Sequence, residues 1–237
     1  MAIIRNPYAT IGSPRLSQLA GCDDLRERLR VSIERLRIGR PAKSLIIVGL
    51  SGVGKTVLLN QMLRDAESFD ACTAYADASE ERSLLSVLLP QLRAALLSMS
   101  TVQAAKDTSV RALRALSGFA KTLKRSYEDI EVDFDYEPEP GLADNGDLES
   151  DLVILLAQVG EAARHASTGL VIFIDNLQHV SDPELAALIA ALHRVTQLSL
   201  PVTMVGTGLP QLRGRVGRAK SYTERLFDYP EIGSVNQ

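Results

Sequence analysis

The chain has few of the residues that build metal sites, disulfide frameworks or hydrolytic triads. Of its 237 residues, two are cysteine (Cys22, Cys72) and three are histidine (His165, His179, His193). The cysteines lack CxxC or metal spacing, which argues against a zinc site or a disulfide scaffold and for a reducing, cytoplasmic protein. The histidines show no metal spacing, so they read as helix or loop residues, and no Ser–His–Asp or Cys–His set emerges. No apolar run approaches the ~20 residues needed to cross a bilayer. Met1 to Ser13 carries no signal-peptide core. Positive charge is not in excess either: the formal net charge is −3, so no global attraction to nucleic acid is implied. There is no internal repeat. With 46% hydrophobic and 23% charged residues, the chain has material for one large domain, or a domain plus a small appendage.

What the chain does have is a complete Walker A pattern, Gly49-x4-Gly54-Lys55-Thr56, directly after the apolar run Leu45-Ile46-Ile47-Val48. Ser44 to Val48 read as a buried strand, and Val57 to Leu63 have helical apolar spacing. A loop between them, spanning Gly49, Ser51, Gly52, Val53 and Gly54, turns backbone N–H groups and a helix N-terminus onto a phosphate chain. Gly52 and Gly54 let the backbone curl close to it. Lys55 can reach the β- and γ-phosphates, and the Thr56 hydroxyl can ligate Mg²⁺. Val57 closes the binding segment.

Strand and helix signals alternate along the rest of the chain. Asp23 to Ile38 is a helix, ended by Gly39 and Pro41. Ala71 to Ala76 is a second strand, and Glu80 to Met99 a long apolar helix with a bend expected at Pro90. Ser109 to Lys124 is an amphipathic, basic helix. Glu131 to Tyr136 alternates acidic and apolar residues, as an exposed edge strand would. Leu148 to His165 is helical. Leu170 to Ile174 is a buried strand ending at Asp175. Ser181 caps the next helix, which has proline in its first turn. Leu200 to Gly206 is a fourth strand, a short basic helix follows, and Phe227 to Ile232 is a fifth strand. This alternation predicts an α/β fold: a mainly parallel five-stranded sheet covered by helices on both faces. Such sheets bind ligands at the carboxyl ends of their strands, where the Gly-rich loop, Asp175 and Thr207 all fall.

Charge is blocky. Lys106 to Arg125 holds six basic residues and one acidic, Ser126 to Asp151 eleven acidic and no basic, and Arg213 to Arg225 five basic and one acidic. Such runs usually mark solvated surfaces. The alternatives are that the first two blocks pair, or that a basic one meets a partner.

A nucleotide hydrolase of this kind needs a carboxylate on a neighbouring strand to fix Mg²⁺ through its water shell, and Asp175 fits. Asn176 follows it, where many such proteins have glutamate. Asparagine can hold a water but cannot accept its proton, so slow turnover, or a base supplied from elsewhere, is expected. Glu80 and Glu81 follow the second strand and suit the first turn of a helix. Thr207 is placed to hydrogen-bond the γ-phosphate or the water.

Together these residues resemble an AAA+ P-loop ATPase core, of the branch that holds origin-recognition-like ATPases, bacterial AAA proteins and STAND-type ATPases. The resemblance covers nearly the whole chain and implies a three-layer αβα fold that binds ATP or ADP with Mg²⁺. Asn6-Pro7-Tyr8 and Ala20 to Leu25 resemble the segment that wraps the adenine in this family, which makes Tyr8, Leu19 and Gly21 candidates for the base pocket, with Cys22 at the family's arginine position. Val171 to Gln178 resembles Walker B, Val205 to Pro210 the sensor 1 region, and Ser221 to Phe227 the stretch that carries an arginine completing a neighbour's site. Arg225 is the best match for that arginine, and Arg218 the second. No C-terminal lid is evident before Gln237, where one would begin: the chain is trimmed, or is a minimal core, or another chain supplies the lid. The interval from about Thr101 to Asp147, an insert between the second and third strands, is the candidate partner surface. The expected function is slow, Mg²⁺-dependent ATP hydrolysis coupled to assembly, as a homo-oligomer or with a partner protein. The alternative is a non-hydrolysing nucleotide switch, and a small-molecule kinase is weaker still. DNA enters only by family analogy, and no membrane role is implied.

Overall fold

Five short apolar segments line up side by side and all run the same way. They are β1 (Ser44–Val48), β2 (Cys72–Asp77), β3 (Leu170–Asp175), β4 (Val202–Gly208) and β5 (Phe227–Asp228). Their order across the sheet is β2-β3-β4-β1-β5, with every neighbouring pair parallel. The computed structural model describes residues 22–125, 127 and 136–233. Tyr8, Leu19, Gly21 and all but the last residue of the expected 131–136 edge strand lie outside that range.

Side chains leave a strand on alternate faces, so each strand feeds two cores. Leu45, Ile47, Val171, Phe173 and Val205 meet helices α1 (Cys22–Arg37) and α2 (Lys55–Ser68). Ile46, Val48, Ile172, Ile174 and Met204 meet the opposite layer. That layer holds α3 (Leu84–Met99), α4 (Lys106–Leu123), α5 (Leu148–His165), α6 (Asp182–Gln197), α7 (Leu212–Ala219) and α8 (Thr223–Leu226). The result is a three-layer αβα sandwich with β1, β3 and β4 buried on both faces, as continuous apolar runs require. No described helix is long and apolar enough to cross a membrane.

Several boundaries differ from the sequence expectation, each for a local reason. α3 starts at Leu84, with Ser83 as its cap, so Glu80 and Glu81 sit in the preceding turn and not in a helix. It runs on through Pro90. β4 starts two residues late because the Leu200 N–H closes the end of α6 on the Val195 carbonyl (2.9 Å) and Pro201 has no N–H to give. β5 is only two residues long. Beyond it the chain stays beside β1 through Val48 N–H to Pro230 O and Ile232 N–H to Val48 O, both 2.9 Å.

The described helix of the 101–147 interval packs into the domain core. α4 packs between α3 and α5 and buries Leu113, Leu116 and Phe119 in the main core. Only its outer side carries the exposed Lys106, Arg111, Arg114 and Lys121. Arg111 reaches Glu139 at 3.1 Å, which joins the basic and acidic blocks at one point.

Candidate functional site at the carboxyl edge of the sheet

The loop 49–54 leaves β1 under tight steric control. The Gly49 N–H donates to Gly208 O at 3.2 Å. A Cβ on Gly49 would stand 2.5 Å from the Ile232 carbonyl, so no larger residue fits without a shift. Gly52 and Gly54 take φ of 82° and 94°, a region that costs glycine little. Gly54 is the N-cap of α2, which starts with no side-chain cap and no acidic residue in its first turn. The first N–H groups of a helix have no partner within the helix. Here they open, with the positive end of the dipole, toward a surface where Ser51, Gly52, Thr56 and Val57 are exposed and Val53 is half-buried.

Lys55 is 8% exposed. Its ammonium donates to the loop's own carbonyls, Gly49 O at 2.8 Å and Leu50 O at 2.7 Å. Burial pushes its pKa below the usual lysine value, and the nearby negative charge of Asp175 partly offsets this. Lys55 and Asp175 are therefore electrostatic neighbours across the β1–β4–β3 edge.

Asp175 is 1% exposed at the end of β3. The Thr207 hydroxyl, at the same level on β4, donates to its Oδ1. The Asn176 N–H reaches Asp175 Oδ1 at 3.0 Å and Thr207 Oγ1 at 3.2 Å. Thr207 is fully buried, and its one proton serves Asp175, so in this arrangement it orients the carboxylate rather than facing solvent.

Asn176 sits in the left-handed region (φ 56°, ψ 42°), which asparagine tolerates better than most residues. Its carboxamide is tied at both ends. Nδ2 donates to Asp77 Oδ1 at 2.9 Å, and Gln178 Nε2 donates to its Oδ1 at 3.1 Å. Arg215 on α7 then secures the following turn by donating to Gln178 O (3.0 Å), to Val180 O and to Asp182 Oδ1 (2.7 Å). Asp77, Gln178 and Arg215 escape the sequence reading. The signal for Asp77 was its place one residue past the expected end of β2. Arg215 was visible only as part of a basic block.

The remaining candidates are dispersed. Arg225 is exposed on α8, and Arg218 is exposed on α7. Neither shares a hydrogen bond or ion pair with Lys55, Asp175, Asn176 or Thr207. Cys22 packs into the α1–α2 core, where burial pushes its thiol pKa up. A recess of about 480 Å³ lies between the start of α1 (Asp24, Leu25, Arg28) and residues 228–232, ending at the Ile232 that abuts Gly49. The histidines have local partners: His165 with Glu161 O, His179 with Glu80, and His193 stacked on Tyr222.

A model of the AAA ATPase domain family matches residues 18–205, a span that includes the Gly-rich loop, Lys55, Asp175 and Asn176. The chain belongs to the AAA ATPase domain family. It is an ATP-binding AAA+ protein with a P-loop ATPase core. Among solved structures, this AAA ATPase domain is similar to Cdc6p from Pyrobaculum aerophilum, with a TM-score of 0.51 and 14% identity over 93% of this chain and 47% of that one. A structure of Drosophila ORC bound to AT-rich DNA and Cdc6 follows at a TM-score of 0.40 and 13% identity, covering 89% and 56% of the two chains. At these identities the first likeness concerns the fold, and the second is too loose to argue from. The chain spans about half the length of the solved proteins it matches. A comparison with curated proteins finds no match.

Proposed function

We propose that this AAA ATPase domain is a nucleotide-controlled switch that binds ATP or ADP with Mg²⁺, hydrolyses ATP slowly, and changes its assembly or partner binding with the nucleotide state. One observation carries the slow step. The residue after Asp175 is a carboxamide, held on both sides by Asp77 and Gln178, where a carboxylate would be free to take a proton.

The binding half rests on the loop. Lys55 gives up its two carbonyl contacts to a phosphate chain, and the uncapped start of α2, over Gly49 to Val57, faces the same anion. Thr56 and Asp175 are the candidate holders of Mg²⁺, whose chemistry is to neutralise phosphate charge. Both offer oxygen donors, and the Thr207 hydroxyl holds the Asp175 carboxylate in place. The recess beside Leu25 and Ile232 is the seat for the base, next to the point where the segment carrying Tyr8 joins α1. Arg225, exposed on α8, is available to a neighbouring copy of the chain, where an arginine at a γ-phosphate stabilises the transition state. A switch that does not hydrolyse at all is the second reading, and the same tethered Asn176 favours it.

Single-turnover phosphate release from purified protein tests the proposal. Release slower than about 1 per second is expected, and turnover at the rate of efficient phosphoryl-transfer enzymes would overturn the switch reading. Lys55→Ala should lose most nucleotide affinity, and unchanged affinity would overturn the site assignment itself.

A further inference from the structure

We propose that Asp77 is the carboxylate that position 176 lacks: it orients the attacking water and accepts its proton, and Asn176 holds it in place. The inference rests on the ATP-hydrolysing reading above.

Placement is the first argument. β2 and β3 are paired in parallel from Cys72↔Leu170 to Asp77↔Asp175. Residues opposite each other in a parallel register point to the same face. Val171 and Phe173 on β3 face α1 and α2, so Asp175 and Asp77 continue that face at the end where α2 begins. Tyr75, on the same face of β2, registers both charges: burial first, then Asp175 and Asp77, push its pKa up to about 12. The register also extends one step beyond the strands, through Ala78 N–H to Asp175 O at 3.1 Å. Asp77 therefore ends β2 in register with Asp175.

The second argument is chemical. The Gln178 amide occupies Asn176 Oδ1, so only the Nδ2 donor is left to turn toward Asp77. The Asn176 Nδ2 donor at 2.9 Å holds the Asp77 carboxylate in place. That bond uses Oδ1, while the side chain stays exposed, so Asp77 has acceptor capacity for a water. Asp175 is 1% exposed, its Oδ1 accepts from Thr207 and from the Asn176 N–H, and its remaining capacity is assigned above to Mg²⁺. Glu80, the other nearby carboxylate, is 82% exposed and turned to the His179 ring at 3.1 Å.

The step balances without a further reactant. The water oxygen forms a bond to the γ-phosphorus as the bond from that phosphorus to the β–γ bridging oxygen breaks. The bridging electron pair leaves with ADP. The water proton passes to Asp77 and then to solvent, and inorganic phosphate is released.

Phosphate release under single-turnover conditions, with nucleotide affinity measured in parallel, tests the assignment. Asp77→Asn should slow release on the order of 100-fold and leave ATP affinity within about twofold, since the loss concerns the proton and not the binding loop. The exchanged pair Asp77→Asn with Asn176→Asp keeps the amide–carboxylate bond and returns a carboxylate. It should recover release well above the single variant, and it guards against a folding defect in that variant. Glu80→Gln should match the parent. Release by Asp77→Asn within threefold of the parent overturns the inference, as does a loss that appears in Glu80→Gln instead. A parent that binds ATP but releases no phosphate over hours overturns it too, yet leaves the non-hydrolysing switch standing. If Lys55→Ala keeps full nucleotide affinity, the site reading fails and the Asp77 assignment falls with it.

Discussion

Helices α2 and α6 both begin just past the carboxyl edge of the sheet, and they begin in opposite ways. α6 is finished by its own residues. Ser181 caps it, with its hydroxyl donating to Glu184 Oε2 at 2.7 Å and accepting from the Glu184 N–H at 3.4 Å. Glu184, 3% exposed, also accepts from the Ser83 hydroxyl (2.6 Å) and the Leu85 N–H (3.3 Å), so one carboxylate closes the starts of α3 and α6 together. α2 has a glycine cap in the left-handed region, no acidic residue in its first turn, and a lysine at its first position. Equal backbone chemistry thus has two outcomes. Where the chain supplies an anion to the helix start, the start is structural. Where it supplies a cation and no side-chain cap, the start is left open, as the proposed nucleotide site requires.

The contrast can be broken most forcefully at Glu184. Glu184→Ala removes an acceptor shared by the Ser83 and Ser181 hydroxyls and the Leu85 N–H, and should cost about 3 kcal/mol of stability with nucleotide affinity unchanged. Urea unfolding and a nucleotide titration on the same sample measure both. If affinity fell in step with stability, the two helix starts would not be separable. Lys55→Ala should do the converse. We expect binding weaker on the order of 100-fold, roughly 2.7 kcal/mol, a melting temperature close to the parent without ligand, and loss of the ligand-induced rise in that temperature. Ser181→Ala removes the cap and one donor to Glu184 and should cost about 1 kcal/mol, again with normal binding.

The smallest effect concerns the far end of α2. Arg26 on α1 holds Asp65 through Nε at 2.5 Å and Nη2 at 3.1 Å. That contact, outweighing burial, lowers the Asp65 pKa from its usual 3.8. A lowered carboxylate stabilises the fold in full above its unfolded pKa and loses that contribution as pH falls through the folded one. Stability of the parent should therefore drop more steeply than that of Arg26→Ala below about pH 4, by less than about 1 kcal/mol because Arg26 is partly exposed. Equal acid slopes for the two proteins would show that α2 is not clamped from this side.

Legibility followed the range of the deciding interactions. β1 at Ser44–Val48 and α5 at Leu148–His165 are placed to the residue by their sequence, because apolar periodicity and flanking breakers are local signals. The Gly-rich loop and the aspartate ending β3 were legible for the same reason. α3 was misplaced at its start because Ser83 becomes a cap with help from Glu184, about a hundred residues away. α4 was legible as an amphipathic helix, while the placing of its apolar face between α3 and α5 was decided by packing. Asp77 carried no motif of its own, and parallel register alone brought it beside Asn176.

By itself, then, the sequence determined that a Gly-rich loop with a lysine follows an apolar strand, that a carboxylate ends another, and that the position after it holds an amide. These follow from residue type and spacing over a few turns of chain. Which groups meet that amide, whether Lys55 is buried, and which helix starts are left open were decided by the tertiary structure. Strand order and register bring together residues about a hundred positions apart in the chain, and no local pattern encodes that distance.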